Sequence, residues 1–237
     1  MVLDKRVVVI TGASGGLGRV AAQHFAENGA RLALVGTNAE KLEELVHELG
    51  LPEERCLSLA VDLGAPGSAK KVFDVVTKNF GRVDILLHFV GGWIGGTPLI
   101  RVDPDDLAAM IQQHIWTAFY LAQAFVPHFT SNGWGRIVVI SSPSVAETPA
   151  NVLPYTVGKS GLEALILTLA NELPGSGVTA NIIRVRKIDV AHERDQDRTS
   201  RTISWTTPEE ITSAIFYLCS DEAGMINGAR IPLYGNP

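Results

Sequence analysis

Arg6-Val7-Val8-Val9-Ile10-Thr11-Gly12-Ala13-Ser14-Gly15-Gly16-Leu17-Gly18 is the stretch whose reading decides the fold. The β-branched run Arg6 to Ile10 predicts a buried strand, and Ala21, Ala22, Phe25 and Ala26 beyond it recur at helical spacing. Strand, glycine-rich turn and helix therefore follow one another. Glycines in such a turn permit positive φ and let backbone N–H groups approach a pyrophosphate seated at the positive end of the helix. Gly16-x-Gly18-x-x-Ala21 fits the literal dinucleotide pattern, but the turn begins at Gly12, so the spacing Gly12, Gly16, Gly18 is the more informative one.

Working outward, Asn28-Gly29 stops the first helix, Arg31 to Val35 forms a second strand, and a helix from about Ala39 to Leu49 completes a βαβ unit. After the second strand an acid would bind the adenosine ribose and a base a 2′-phosphate; Gly36, Thr37 and Asn38 stand there, so NAD and NADP both remain open. Leu57 to Val61 predicts a third strand. Asp62 follows it, serving either as a turn or helix cap or as an adenine contact. A helix from about Pro66 to Asn79 leads to the apolar strand Val83 to Val90, in which His88 reads as a core histidine with one satisfied nitrogen. Pro104 to Phe129 predicts one long helix with His114 on the flank of its apolar stripe. Arg136 to Ile140 is the fifth strand, ending at Ser141-Ser142, and the loop from Pro143 to Pro154 returns the chain to a helix running from Tyr155 to about Leu173. The fold class is α/β: a single doubly wound Rossmann domain spanning 1–237, with a mostly parallel sheet of about seven strands flanked by helices on both faces.

Composition agrees with one globular domain, since 46% of the 237 residues are hydrophobic and 19% charged. A formal charge of −5 argues against nucleic acid or an anionic membrane as partner. Cys56 and Cys219 lie far apart and read as reduced core thiols of a cytoplasmic protein. Val7 to Ile10 is too short for a signal or membrane-spanning segment, and the histidines make no metal-ligand spacing, so no structural metal is expected.

Tyr155 and Lys159 stand at i and i+4 on one helical face. A nearby cation favours the phenolate, so Lys159 is expected to lower the Tyr155 pKa and make the phenol a proton donor and acceptor near neutrality. By itself such a pair is an ordinary surface feature. Ser142 at a strand's carboxyl end changes this, because it and the Tyr/Lys pair can converge over the sheet edge.

At this point the chain resembles the short-chain dehydrogenase/reductase family from Lys5 to about Gly235. Thr11 to Gly18 matches T-G-x-x-x-G-x-G, Tyr155 to Lys159 matches Y-x-x-x-K, and Ser142 precedes Tyr155 by the thirteen residues that separate the family's serine and tyrosine. The resemblance implies a nicotinamide cofactor, NAD or NADP, and a small-molecule carbonyl or secondary-alcohol substrate. It makes Tyr155 the general acid/base, Ser142 the group that polarises the substrate oxygen, and Lys159 the residue that holds the nicotinamide ribose. It further implies cofactor contacts along Gly12, Ser14, Gly15, Gly16, Leu17 and Gly18, at Thr37, at Asp62 and Leu63, at Val90 and Gly91, at Tyr155 and Lys159, and at Ile188.

The chain departs from the family pattern at four places. His88-Phe89-Val90-Gly91 stands for N-N-A-G, and the catalytic asparagine of the long helix falls at His114, which either packs passively or joins a proton relay from Lys159 to solvent. Val185-Arg186 replaces P-G, and Arg186 with Lys187 either favours an anionic substrate or forms a solvated loop. Finally, the substrate segment at about 186–206 is short, leaving the pocket open or covered by a neighbouring subunit. Tyr234-Gly235 replaces the family's usual terminal acid and glycine. The helix after Tyr155 is apolar over more than one face, which with the family habit suggests a homodimer or homotetramer. Two rival functions are a catalytically silent nucleotide-binding sensor or scaffold, and a lyase or dehalogenase on the same scaffold; intact Lys159 and Gly12 to Gly18 argue against the second.

Overall fold

The computed structural model describes residue 3, residues 5–200 and residues 202–234; Gly235 lies outside them. In chain order the elements are β1 (Val7–Thr11), α1 (Gly16–Glu27), β2 (Arg31–Gly36), α2 (Ala39–Leu49), β3 (Cys56–Ala60), α3 (Ser68–Phe80) and β4 (Ile85–His88). There follow α4 (Pro104–Ile111), α5 (Thr117–Ser131), β5 (Gly135–Ser141), α6 (Ser144–Glu147), α7 (Leu153–Glu172), β6 (Val178–Arg184), α8 (Glu193–Gln196), α9 (Pro208–Leu218) and β7 (Arg230–Pro232).

The strands form one sheet in the order β3-β2-β1-β4-β5-β6-β7, and every pairing is parallel. From β1 the chain winds outward to β3, then crosses back so that β4 lies on the other side of β1. That reversal opens a crevice at the carboxyl ends of β1 and β4, where open parallel sheets bind ligands. The strands are apolar on both faces because both are covered. Val8 and Ile10 join one core with Phe25, Leu42, Leu45, Ile211 and Ile215, while Val7 and Val9 join the other with Val72, Leu121, Phe125, Leu162 and Ile166. Phe25, Phe125 and Phe129 have no exposed surface; each buried side chain of this size stabilises the fold by about 1.5–3 kcal/mol.

Among the differences from the expected elements, two concern helices. The long helix is interrupted by a π-helical turn at Gln112–Trp116 between α4 and α5, a distortion found disproportionately at functional sites. The turn carries His114 off the flank and into complete burial. The loop from Pro143 to Pro154 contains α6, whose helical turn follows directly on Ser142.

Helix α9 opens on a capping box. Pro208 occupies its first turn, Thr207 accepts from the Glu210 amide at 3.3 Å, and Glu210 accepts from the Thr207 amide at 2.9 Å. The short segment before it is folded against the body. Buried Asp189 accepts from the Glu193 and Arg194 amides at 2.9 Å each, Arg194 forks onto Glu210 at 2.9 and 3.0 Å, and Ile188 pairs with Thr206. Among the described residues, no helix is long and apolar enough to cross a membrane.

Candidate active site

The glycine turn is built by close backbone approach. Gly12 has φ +70°, and a Cβ on Gly18 would lie 2.4 Å from the Gly12 carbonyl oxygen and 2.6 Å from that of Ala13. The N-terminus of α1 has no side-chain cap, since Gly15 stands there, so its amides face the cleft as an anion site.

Two cavities adjoin this turn and share Gly12, Gly15, Val90 and Gly91 in their walls. The larger, about 820 Å³, reaches Ser14, Thr37, Asp62 and Leu63. The smaller, about 350 Å³, is lined by Gly16, Leu17, Gly18, Tyr155, Lys159 and Ile188. Every cofactor contact expected from the sequence therefore lines one or other of these two adjoining, glycine-floored cavities. Asp62 also fills the turn role, accepting from the Gly64 amide at 2.8 Å.

Ser142 is buried and lies beside Tyr155. Here one expectation is corrected: burial raises the Tyr155 pKa, and a hydrogen bond with Ser142, not Lys159, opposes the rise. The reason is where the lysine points. Lys159 donates to the Ile140 carbonyl at 2.9 Å, and its Nζ is 5.9 Å from the centroid of the Tyr155 ring. Lys159 is itself only 6% exposed, and burial pushes its pKa down to about 8, with Glu163 opposing.

His114 packs edge-on to Tyr155, ring centroids 5.8 Å apart. Its Nε2 lies 3.2 Å from the Gly92 carbonyl, which can only accept, so Nε2 carries the proton and Nδ1 presents a lone pair. That Nδ1 is buried without a partner. Burial and the Lys159 charge hold the imidazole neutral, its pKa pushed down to about 3. The ring fits because two neighbours lack side chains: a Cβ on Gly158 would meet His114 Cδ2 at 2.8 Å, and one on Gly91 would meet Cε1 at 2.9 Å. The same Gly91 Cβ position is 3.4 Å from both His114 Nδ1 and Lys159 Nζ, so these two groups converge there.

Beneath the cleft, His88 uses both nitrogens rather than the one expected. Thr117 donates to the Gln113 carbonyl at 2.6 Å, which leaves its oxygen to accept from His88 Nε2 at 3.3 Å; Thr11 then donates to His88 Nδ1 at 2.8 Å. The neutral ring, its pKa pushed down to about 3 mainly by burial, ties β1 and β4 to α5.

The two cations after β6 are paired. Arg186 contacts Glu147 at 2.8 Å and stacks on Tyr234, and Lys187 lies 3.4 Å over Trp205 and 3.7 Å from Glu193. Of the two readings for this pair, a dedicated site for an anionic substrate has no support in these contacts. Among the described residues, no group of three His, Cys, Asp or Glu side chains could hold a metal ion.

Sequence reasoning missed Glu163, a buried acid one helical turn beyond Lys159, and Gly158, whose missing side chain admits His114. A lone acid among Leu162, Ile166 and Leu169 was the available clue to Glu163.

A family model described as short chain dehydrogenase matches residues 6–201. The chain belongs to the short-chain dehydrogenase family. It is 30% identical over 242 residues to D-threitol dehydrogenase of Mycolicibacterium smegmatis, covering 98% of this chain and 93% of that one. It is 27% identical to meso-2,3-butanediol dehydrogenase of Serratia marcescens over 99% of this chain and 94% of the relative. A solved structure of a short chain dehydrogenase from Bacillus anthracis, 29% identical, superposes with a TM-score of 0.88 over 97% of this chain and 95% of that one. Members of this family are oxidoreductases that use nicotinamide cofactors.

Proposed function

We propose that this chain moves a hydride between NAD or NADP and a carbonyl or secondary-alcohol substrate, with Tyr155 as general acid/base. The observation that carries the reading is the convergence of Tyr155 and Lys159 on the cleft floored by the Gly12–Gly18 turn, with Ser142 beside Tyr155. The bound nicotinamide supplies or takes the hydride. The chain's own residues do the rest: the free amides at the start of α1 bind the pyrophosphate, and Thr37, Asp62 and Leu63 line the adenosine end. Ser142 donates to the substrate oxygen, and Tyr155 gives it a proton in reduction or takes one in oxidation. Lys159 holds the ribose and carries the proton that resupplies Tyr155. As pH rises past about 8 Lys159 loses that proton, so reductive turnover falls on the alkaline side.

Relatives named for D-threitol and meso-2,3-butanediol, both of which carry vicinal hydroxyls, make vicinal diols and polyols the first choice for a substrate panel. The unpacked groove of about 420 Å³ between α5 and α7, with Phe119, Val126 and Leu165 on its walls, supports pairing of this face in a homodimer or homotetramer. Parallel calorimetric titration with NAD(H) and NADP(H), followed by turnover on vicinal diols and their ketones, tests the reading. Expected are micromolar binding of one cofactor and turnover of at least one diol. Binding of neither cofactor refutes it, and saturable binding with no turnover across a broad carbonyl panel favours the silent sensor.

His114 takes the place of the family's asparagine as an acceptor. Its unpartnered Nδ1 and the Lys159 ammonium are both within reach of one water at Gly91, which would relay protons from Lys159. His114→Asn is expected to retain most turnover, and His114→Ala to lower it by about 10²-fold and displace its pH profile, at the low end of proton-transfer effects. Unchanged turnover and pH profile in both variants exclude the relay.

A further inference from the structure

Helix α7 places Tyr155, Lys159 and Glu163 at successive four-residue steps, hence along one face. Glu163 is 1% exposed, whereas the helix's other acid, Glu172, faces solvent. A carboxylate so buried is expensive unless paired, and Glu163 is paired on both oxygens. Arg184, the last residue of β6, donates from Nε to Oε1 at 2.8 Å and from Nη2 to Oε2 at 2.5 Å; Arg230, the first residue of β7, donates to Oε2 at 2.9 Å. This bidentate fork and the second arginine fix the carboxylate at the sheet's edge, one helical turn behind the Lys159 side chain.

The charges do not cancel. One carboxylate faces Arg184, Arg230 and Lys159, three cations, and the other groups around Lys159 add no anion. His88 from β4 and His114 from the π turn are neutral, and Tyr155 on its own helix is a phenol. Glu163 is thus the anion that the described structure sets against the lysine.

We propose that Glu163 is the buried counter-charge that keeps Lys159 a cation, and that Arg184 and Arg230 position it for that purpose. This rests on the reading of Tyr155 and Lys159 as the proton-transfer pair. Glu163 touches neither and is a positioning residue. Its direction of effect on Lys159, upward against burial, agrees. Removing the charge without the shape leaves three cations together, and the one able to shed a proton is the lysine.

The test is titration of Lys159 in the full-length protein labelled with 15N-lysine, its Nζ resonance assigned by its loss in Lys159→Arg. In Glu163→Gln the Lys159 midpoint is expected to fall by about 1–3 pH units, the range for loss of a nearby opposite charge. In Arg230→Gln, which removes a half-exposed cation instead, it is expected to stay or rise. The alkaline limb of reductive kcat should move with the midpoint in both variants. A role in holding the helix alone would give both variants the same change; equal displacements in one direction, or no displacement in Glu163→Gln, overturn the proposal. Should Glu163→Gln fail to fold, the Arg230→Gln midpoint decides, a fall refuting the assignment. The resonance requires neither cofactor nor turnover, so failure of the oxidoreductase reading would show separately, as absent nicotinamide binding with the lysine shift intact.

Discussion

Tyr155→Phe is expected to lower kcat by about 10²–10⁴, the range for loss of a general acid or base, while nicotinamide binding changes little. The expectation follows from what the hydroxyl touches. The ring stays packed edge-on to His114 in the phenylalanine variant, since that contact involves carbon atoms of the aromatic face and edge. The glycine turn and the adenosine end of the cleft are formed by other segments, at Gly12–Gly18, Thr37 and Asp62. Only the hydroxyl beside Ser142, the proposed proton donor, is removed. Ser142→Ala should fall in the same direction by about 10²–10³, as for loss of a donor to a developing oxyanion. Single-turnover hydride transfer, followed by nicotinamide absorbance at saturating cofactor, separates this from a binding defect. A Tyr155→Phe variant with wild-type single-turnover rate would remove Tyr155 from the chemistry.

The parts of this site that were legible in the sequence are those fixed by local geometry. The first strand and its glycine turn could be placed to within a residue, because β-branched runs and glycines act on their own backbone. Helix α2 matches its expected bounds, Ala39 to Leu49, because Asn38 caps its start and Gly50 in the left-handed region ends it. Strand β4 was drawn too long. Val83 and Val90 are as apolar as the four residues that pair, but beyond His88 the chain leaves the sheet to wall the cleft, and hydrophobicity does not record that departure.

Features set by distant partners were hidden. Nothing in the apolar stripe of Pro104 to Phe129 announces a π turn, and the burial of His114 depends on missing side chains at Gly91 and Gly158. Glu163 has its partners 21 and 67 residues away. The Tyr155 pKa failed for the same reason: i, i+4 spacing locates the lysine, whereas the Ile140 carbonyl, from another element, decides where its ammonium points. Residues related by local spacing are thus recognisable from sequence, whereas those placed by distant partners are visible only in three dimensions.

The glycine turn supplies the second large effect, because it separates two substitutions that look alike on paper. Gly18→Ala is expected to lower cofactor affinity by at least about 100-fold and to destabilise the protein by about 1–3 kcal/mol, the usual cost of overpacking a tight site. The added Cβ would stand 2.4 Å from the Gly12 oxygen, 2.6 Å from the Ala13 oxygen and 2.7 Å from the Ala13 carbonyl carbon. All three are backbone atoms of the turn itself, so relief requires moving the segment whose amides face the pyrophosphate, and binding and stability fall together. Gly16→Ala meets a different obstacle. Its Cβ would lie 2.5 Å from Val190 Cγ2 and 2.7 Å from Cγ1, both on a side chain 55% exposed in the segment before α8. That side chain can turn toward solvent at little cost, so stability should change by under about 0.5 kcal/mol, as for surface substitutions, and affinity by only a few-fold. Denaturant melts and calorimetric cofactor titrations of the two variants, measured side by side, check the contrast. Equal losses in both would mean that Val190 is fixed in place over the turn, so that the segment from Ile188 to Thr206 acts as a rigid wall of the cofactor cleft.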